Sequence, residues 1–131
     1  MSVWREFNNN PLNRRVGDCA VRAISAALDL DWETAYAMLA MEGYSHGDLP
    51  SSDAIWSNIL RRYGFKRYAI KNTCPDCYNA GDFASDHPDG VYVLGFGGHV
   101  ATVKDGMVWD SWDSTKEIPQ FYWTDSNETE D

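Results

Sequence analysis

A chain of 131 residues is long enough for one domain with a hydrophobic core and short for two. Hydrophobic residues make up 44% of it and charged residues 24%, a balance that excludes a disordered or low-complexity protein. Its formal net charge of −9 argues against non-specific binding to nucleic acid or to an anionic membrane, because both need clustered Lys and Arg. We predict a single domain over residues 1–123 and an acidic, flexible tail over residues 124–131.

The cysteine count and the lack of long apolar segments predict a cytoplasmic protein. The N-terminal segment lacks the apolar core of a signal peptide, and no apolar run reaches the roughly 18 residues that a membrane span needs. Three cysteines are an odd number, which suits a reducing compartment and a free thiol better than a secreted disulfide framework. We interpret the arginines near the N-terminus as a solvated face with a local positive patch: Arg5, Arg14, Arg15 and Arg22.

Apolar residues at helical spacing predict three helices in the first half of the chain. The first is a buried helix, and its N-cap puts Cys19 in the first turn. The predicted N-caps of the three helices are Asp18, Asp31 and a residue near Ser52, and the predicted ends of the second and third are near Gly43 and at Gly64.

The second half of the chain changes to the period of strands. Strands are predicted over 65–70, 91–96 and 120–123, with a short helical turn over 82–90. Residues 99–112 predict two more strands around Asp105-Gly106, because a type I′ turn requires a positive φ at both central residues. Helices followed by antiparallel strands predict an α+β domain, in which the N-terminal helices pack on a C-terminal antiparallel sheet.

The register of that hairpin predicts a histidine beside a carboxylate. With a two-residue turn, His99 lies opposite Trp112, and both side chains point to the same face as Asp110. Asp110 is the diagonal neighbour of His99, so its carboxylate can reach the imidazole. Asp113 has the opposite parity and is expected to point away.

Cys19 completes a set of residues suited to acyl transfer. A thiol at a helix N-terminus has its thiolate favoured by the helix dipole and by free backbone N–H groups, and a nearby imidazole favours it further. We predict Cys19 as the nucleophile, His99 as base and later acid, and Asp110 as the residue that orients the imidazole. The oxyanion would take one donor from the backbone N–H of Cys19 and another from a side-chain amide upstream.

This order, with a cysteine heading the first long helix and a histidine and an aspartate on consecutive later strands, resembles the papain-like cysteine peptidase superfamily. In papain-like enzymes a glutamine six residues before the cysteine donates to the oxyanion, and Asn13 stands six residues before Cys19. The resemblance therefore implies an oxyanion role for Asn13. Three other asparagines in the same arm are alternatives: Asn8, Asn9 and Asn10.

Two short motifs extend the resemblance. DSW at 110–112 is similar to the Asn-Ser-Trp of papain-like enzymes, which implies that Trp112 shields the bond between His99 and Asp110 from water. DCAVRA, which begins at Asp18, resembles the Asp-Cys-Gly start of the bacteriocin-processing peptidase branch, whose orienting residue is also an aspartate. The resemblance implies a papain-like fold and a small bacterial or phage protein, working in the cytoplasm of a bacterium or of a phage-infected host.

Together these residues predict a cysteine-dependent hydrolase of amide or isopeptide bonds that acts through a thioester. We expect a protein or peptide substrate, no cofactor, and no nucleic-acid or membrane partner. Two alternatives stay open: a papain-fold protein that binds or inhibits a host protein, and a deamidase or transglutaminase-like acyltransferase. The reactivity of Cys19 separates the first alternative from an enzyme, and trapping of a primary amine reveals the second.

CPDC at 74–77 is typical of a zinc-ligand pair or of a redox pair. One pair supplies only two zinc ligands, and His87 with Asp82 or Asp86 would complete the set poorly. The strand and helix expected around a thioredoxin-like pair are missing from the pattern. We therefore predict a solvated loop and a metal-free protein, and interpret His46 and His87 as loop histidines.

Overall fold

The computed structural model describes residues 2–126 and has, within them, four helices and one six-stranded sheet. The helices are α1 (Cys19–Leu28), α2 (Trp32–His46), α3 (Asp53–Arg62) and α4 (Ala80–Asp86). The strands are β1 (Trp4–Glu6), β2 (Lys66–Ala69), β3 (Val91–Phe96), β4 (His99–Lys104), β5 (Met107–Asp110) and β6 (Phe121–Thr124). The α+β class is therefore as the sequence predicts.

The sheet is mixed rather than antiparallel, which corrects the predicted architecture. Its strand order is β1-β5-β4-β3-β6-β2, and β1 pairs with β5 in parallel while every other neighbouring pair is antiparallel. The N-terminal arm supplies β1 before any helix begins, and α4 lies between two strands in the chain. A strand of three residues is too short to show an alternating pattern in the sequence, so β1 was not predictable.

The sheet carries helices on both faces, because successive residues of a strand point to opposite sides. Val93 packs with α1, α2 and α3, in a core that includes the large buried side chains Trp56 and Trp123. Its neighbours Tyr92 and Leu94 pack on the opposite face with α4. The stack of α1 on β4 positions the N-terminus of α1 beside the first residue of β4.

The second helix starts where predicted and ends later. Asp31 caps it by accepting a hydrogen bond from the backbone N–H of Thr34, at 2.7 Å. The helix continues past Gly43 and ends at His46, and the C-cap that follows is Gly47, whose φ of +65° is left-handed. Gly43 serves packing instead, because a Cβ there would lie 2.7 Å from the backbone oxygen of Asp48.

The predicted boundary between the domain and the tail, after residue 123, falls within β6. Thr124, assigned to the tail, is buried in that strand, and its hydroxyl donates to the backbone oxygen of Val91 at 3.0 Å. The domain therefore extends beyond residue 123, and residues 127–131 of the predicted tail lie outside the described part of the chain. Among the helices of residues 2–126, none combines the length and the apolar character that crossing a membrane requires.

The CPDC segment forms an exposed loop, as predicted, but its two cysteines are joined by a disulfide. The odd cysteine count favours reduced thiols and did not indicate this pairing. Of the two histidines predicted to lie in loops, His87 follows the last residue of α4, outside the helix, whereas His46 is helical. His46 is the last residue of α2, with Nδ1 3.0 Å from the backbone oxygen of Glu42. His87 caps α4 and stacks on Phe83, with ring centroids 3.8 Å apart.

Candidate active site

Cys19 is the first residue of α1 and carries the free thiol of the described chain. The thiol is partly buried and is hydrogen-bonded to the side chain of His99 and to the backbone of Val100. Burial raises its pKa, but these two hydrogen bonds and the charges of His99 and Arg22 outweigh burial. The pKa of Cys19 is therefore below its ordinary value, which favours the thiolate.

His99 links this thiol to a buried carboxylate. Its Nε2 lies 2.6 Å from Oδ2 of Asp110, so Nδ1 is the ring nitrogen left for Cys19. Burial lowers the pKa of His99, but the hydrogen bonds to Asp110 and Cys19 and the charges of both raise it to about 9. At neutral pH the imidazole of His99 is therefore protonated, and its positive charge favours the thiolate form of Cys19.

The carboxylate of Asp110 is held by donors on both oxygens. Besides His99, Oδ2 accepts a hydrogen bond from the hydroxyl of Ser114 at 2.6 Å. Oδ1 accepts from the backbone N–H of Ser111 at 2.8 Å and from Nη2 of Arg22 at 3.2 Å. Burial raises the pKa of Asp110, but the hydrogen bonds from His99 and Ser114 outweigh it and lower the pKa. The carboxylate therefore stays ionised and fixed in orientation.

Arg22 is buried rather than part of a solvated face, which corrects its interpretation. Its guanidinium bridges Asp110 and Asp18, and only 5% of the residue is exposed. The other oxygen of Asp18 accepts from the indole N–H of Trp32 at 2.9 Å. Asp18 thus occupies the predicted N-cap position, but its side chain makes no capping hydrogen bond. An Asp and an Arg four positions apart, at the start of an otherwise apolar helix, were the sequence signal for this pair.

The N-terminal arm holds the backbone of Asp110. Its carbonyl oxygen accepts from the indole N–H of Trp4 at 3.1 Å and from the backbone N–H of Phe7 at 2.8 Å. Farther along the arm, Arg15 donates to the backbone oxygen of Ser111 at 2.6 Å. These contacts place the first strand and the loop after it against the proposed orienting residue.

The hairpin register agrees with the prediction, since Lys104 pairs with Met107 across a turn in which both central residues have positive φ. Trp112 contacts the imidazole of His99, with ring centroids 5.0 Å apart, and 44% of Trp112 is exposed. It covers one side of the imidazole at the surface. Asp113 is exposed and accepts hydrogen bonds from Thr115 instead, as its parity predicts.

The thiol and the imidazole open onto a surface cleft of about 650 Å³. Asn13 does not line it: the residue is exposed, has a φ of +53°, and its N–H closes a turn onto the oxygen of Asn10. Asn8, Asn9 and Asn10 do not line the cleft either. None of these four asparagines therefore supplies a donor to the wall of the cleft, and the oxyanion role predicted for Asn13 gains no support from the cleft lining.

The N-terminus of α1 offers hydrogen-bond donors for an oxyanion, the role that the sequence predicted for Asn13. Because the side chain of Asp18 makes no capping hydrogen bond, the backbone N–H groups in the first turn of α1 have no side-chain acceptor from the N-cap residue. A helix N-terminus with open N–H groups stabilises negative charge on a nearby oxygen.

Among residues 2–126 the structure places no group of three or more His, Cys, Asp or Glu side chains that could hold a metal ion.

No protein-family model, no curated protein and no solved structure matches this chain. The chemistry of the candidate site therefore has to be judged on its own geometry.

Proposed function

We propose that the chain is a papain-like, cysteine-dependent hydrolase of amide or isopeptide bonds. The observation that carries the proposal is one continuous set of side-chain hydrogen bonds from Cys19 through His99 to Asp110, with the thiol at the wall of an open cleft. A nucleophile, a base and a group that orients the base, in hydrogen-bond contact, are the parts that acyl transfer requires.

In the first half of the reaction, the thiolate of Cys19 attacks the substrate carbonyl carbon and forms a C–S bond, while the carbonyl oxygen becomes an oxyanion. The backbone N–H groups at the start of α1 stabilise that charge. The imidazolium of His99 then gives its Nδ1 proton to the leaving nitrogen. The C–N bond breaks, the amine departs, and a thioester on Cys19 remains.

In the second half, neutral His99 takes a proton from water, and the resulting hydroxide attacks the thioester carbon. The C–S bond breaks, the carboxylic acid leaves, and the thiolate and the imidazolium are restored. Asp110 stays ionised throughout, because its four donors stabilise the charged form. A primary amine in place of water would give the transferase reaction, so the two outcomes differ in the acceptor alone.

The substrate in this proposal is a protein or a peptide, because the cleft lies open at the surface and can take an extended chain.

The cysteines bear on the compartment in which the protein works. The free thiol of Cys19 favours the reducing cytoplasm, whereas the disulfide between Cys74 and Cys77 favours an oxidising compartment. Alkylation of these cysteines in intact cells, followed by peptide mapping, decides between the two.

The proposal is tested by labelling the folded protein with an electrophilic activity-based probe and mapping the modified peptide. We expect selective labelling of Cys19 at neutral pH and none in Cys19→Ala. Hydrolysis of a fluorogenic peptide mixture should be lost in the same variant. Reaction of Cys19 at the rate of an ordinary thiol, with no hydrolysis, would overturn the proposal and favour a protein that only binds its partner.

A further inference from the structure

A second cavity adjoins the cleft that contains Cys19. It has a volume of about 410 Å³ and lies between the N-terminal arm, the start of α1 and the start of α2. The two cavities share part of their walls, namely Val16, Gly17 and Ser51. A ligand that crosses this shared wall would therefore reach both the thiol and the second cavity.

Gly17 lies at that junction and has no structural reason to be glycine. It is not among the glycines with positive φ, and a Cβ built on it would meet no atom within 4 Å. Gly98, which also lines the cleft, differs because its φ of +85° by itself favours glycine. The missing side chain at Gly17 therefore leaves open space between the two cavities rather than relieving a strain or a clash.

The side chains that line the second cavity are suited to bind an apolar group. Large apolar side chains that line it are unusually exposed, with Leu12 at 77%, Tyr36 at 47% and Val16 at 40%. Trp32 forms a fixed wall, because its indole N–H is bonded to Asp18 and its ring stacks on Tyr36 with centroids 5.0 Å apart.

The charge of Asp18, which also lines this cavity, does not call for a cationic ligand. Its two oxygens are bonded to Arg22 and to the indole of Trp32, and the residue is 6% exposed. A buried carboxylate that is already paired gains little from a second cation.

From these contacts we infer that a peptide substrate passes over Gly17 and places one large apolar side chain, aromatic or branched aliphatic, in the second cavity. Its reacting carbonyl lies at Cys19 in the adjoining cleft. The inference rests on the proposed hydrolase function and names the class of substrate residue that this site selects. Burying one such side chain is worth about a tenfold to hundredfold gain in rate at low substrate concentration.

The test compares second-order rates of Cys19 alkylation by two chloroacetamides, N-phenethyl and N-methyl. We expect the phenethyl probe to react with the wild-type protein at least about tenfold faster, after correction for their rates with a free thiol. Tyr36→Ser and Gly17→Val should each lower that ratio, and Tyr44→Ser should leave it unchanged. Tyr44 lies on the same helix, is 88% exposed and lines neither cavity, which makes it the matched control.

A wild-type ratio near one would overturn the apolar subsite even if Cys19 is highly reactive. A second measurement does not depend on reactivity: the Trp32 indole N–H signal of the Cys19→Ala protein is followed by NMR. N-acetylphenylalanine methylamide should shift this signal, and N-acetylalanine methylamide should not. No shift with either would also overturn the subsite. A shift together with an ordinary thiol rate at Cys19 would overturn the hydrolase and keep the binding site.

Discussion

At the scale of single residues, burial and hydrogen bonding act in opposite directions on each of the three side chains of the candidate site. Burial alone would favour a neutral thiol, a neutral imidazole and a protonated carboxyl. The hydrogen bonds outweigh it in every case, so that the pKa of Cys19 and of Asp110 is lowered and that of His99 is raised. The hydrogen bonds thus favour the charged form of all three groups before any substrate arrives.

We expect the imidazole of His99 to titrate near pH 9, well above the ordinary value of 6.5. Because the folded pKa is the higher one, the imidazolium stabilises the fold fully below pH 6.5, and this contribution is lost as the pH rises through 9. NMR of the His99 ring between pH 5 and pH 10, at about half-unit steps, measures the pKa directly. A midpoint near 6.5 would contradict the ion pair.

Asp110→Asn should slow turnover by about a hundredfold or more, because an amide does not stabilise the imidazolium of His99. The same substitution should lower the pKa of His99 toward its ordinary value. Asp113→Asn is the matched control and should change neither quantity, since Asp113 is exposed and bonds to Thr115. A larger effect at Asp113 than at Asp110 would mean that the hairpin register is shifted by one residue or bulged and that Asp113 orients His99.

At the scale of secondary structure elements, the hairpin and the first helix were predictable because local chemistry determines them. A two-residue turn at Asp105-Gly106 fixes the register, and the register brings Asp110 to His99. The helical spacing of apolar residues similarly identified α1, and the predicted N-cap at Asp18 placed Cys19 in the first turn.

The contacts that the sequence did not reveal depend on distant parts of the chain. Arg22 is buried only because Asp110, 88 positions later, joins Asp18 in neutralising it. The role of Asn13 was predicted from its spacing to Cys19, and spacing does not reveal the turn in which its N–H bonds to Asn10 and its φ is positive. Ser114 lies two residues beyond the predicted hairpin, where the alternation typical of a strand has stopped. Its hydroxyl nevertheless donates a hydrogen bond to Asp110.

Arg22→Met should destabilise the protein by about 3–5 kcal/mol, because it leaves Asp18 and Asp110 buried without their shared cation. Arg22→Lys keeps the charge but cannot donate to both carboxylates with a rigid fork, so an intermediate loss is expected. Urea unfolding measures the free energies, and the His99 pKa in each variant separates positioning of Asp110 from stability alone. Arg14→Met, at an exposed arginine, should change stability by less than about 0.5 kcal/mol.

At the scale of the whole molecule, the candidate site lies where the helical layer meets the sheet, since α1 supplies the thiol and β4 and β5 supply its partners. The disulfide loop between β2 and α4 contributes no residue to the cleft. The chemistry of Cys19 and the covalent state of Cys74 and Cys77 should therefore be separable by substitution.

We expect the double variant Cys74→Ser/Cys77→Ser to keep its fold and activity, whereas Cys19→Ala should keep the fold and lose the activity. Activity and melting temperature should also survive EDTA, because zinc needs three or four ligands, and the cysteines of CPDC, joined in a disulfide, offer it no thiolate. Circular dichroism, a melting curve and peptide hydrolysis check each variant. One zinc per chain by elemental analysis, with a melting temperature that falls on chelation, would contradict the metal-free prediction.

The pairing of β1 with β5 has a consequence for the protein during its synthesis. Trp4 leaves the ribosome 106 positions ahead of Asp110, whose carbonyl its indole later binds. Cys19 also emerges early, but His99 and Asp110 belong to strands that are translated much later. Until the hairpin has been synthesised, the nascent chain therefore carries Cys19 without its partners and a first strand without β5. The contacts that lower the pKa of the Cys19 thiol form only when the later hairpin folds against the start of α1.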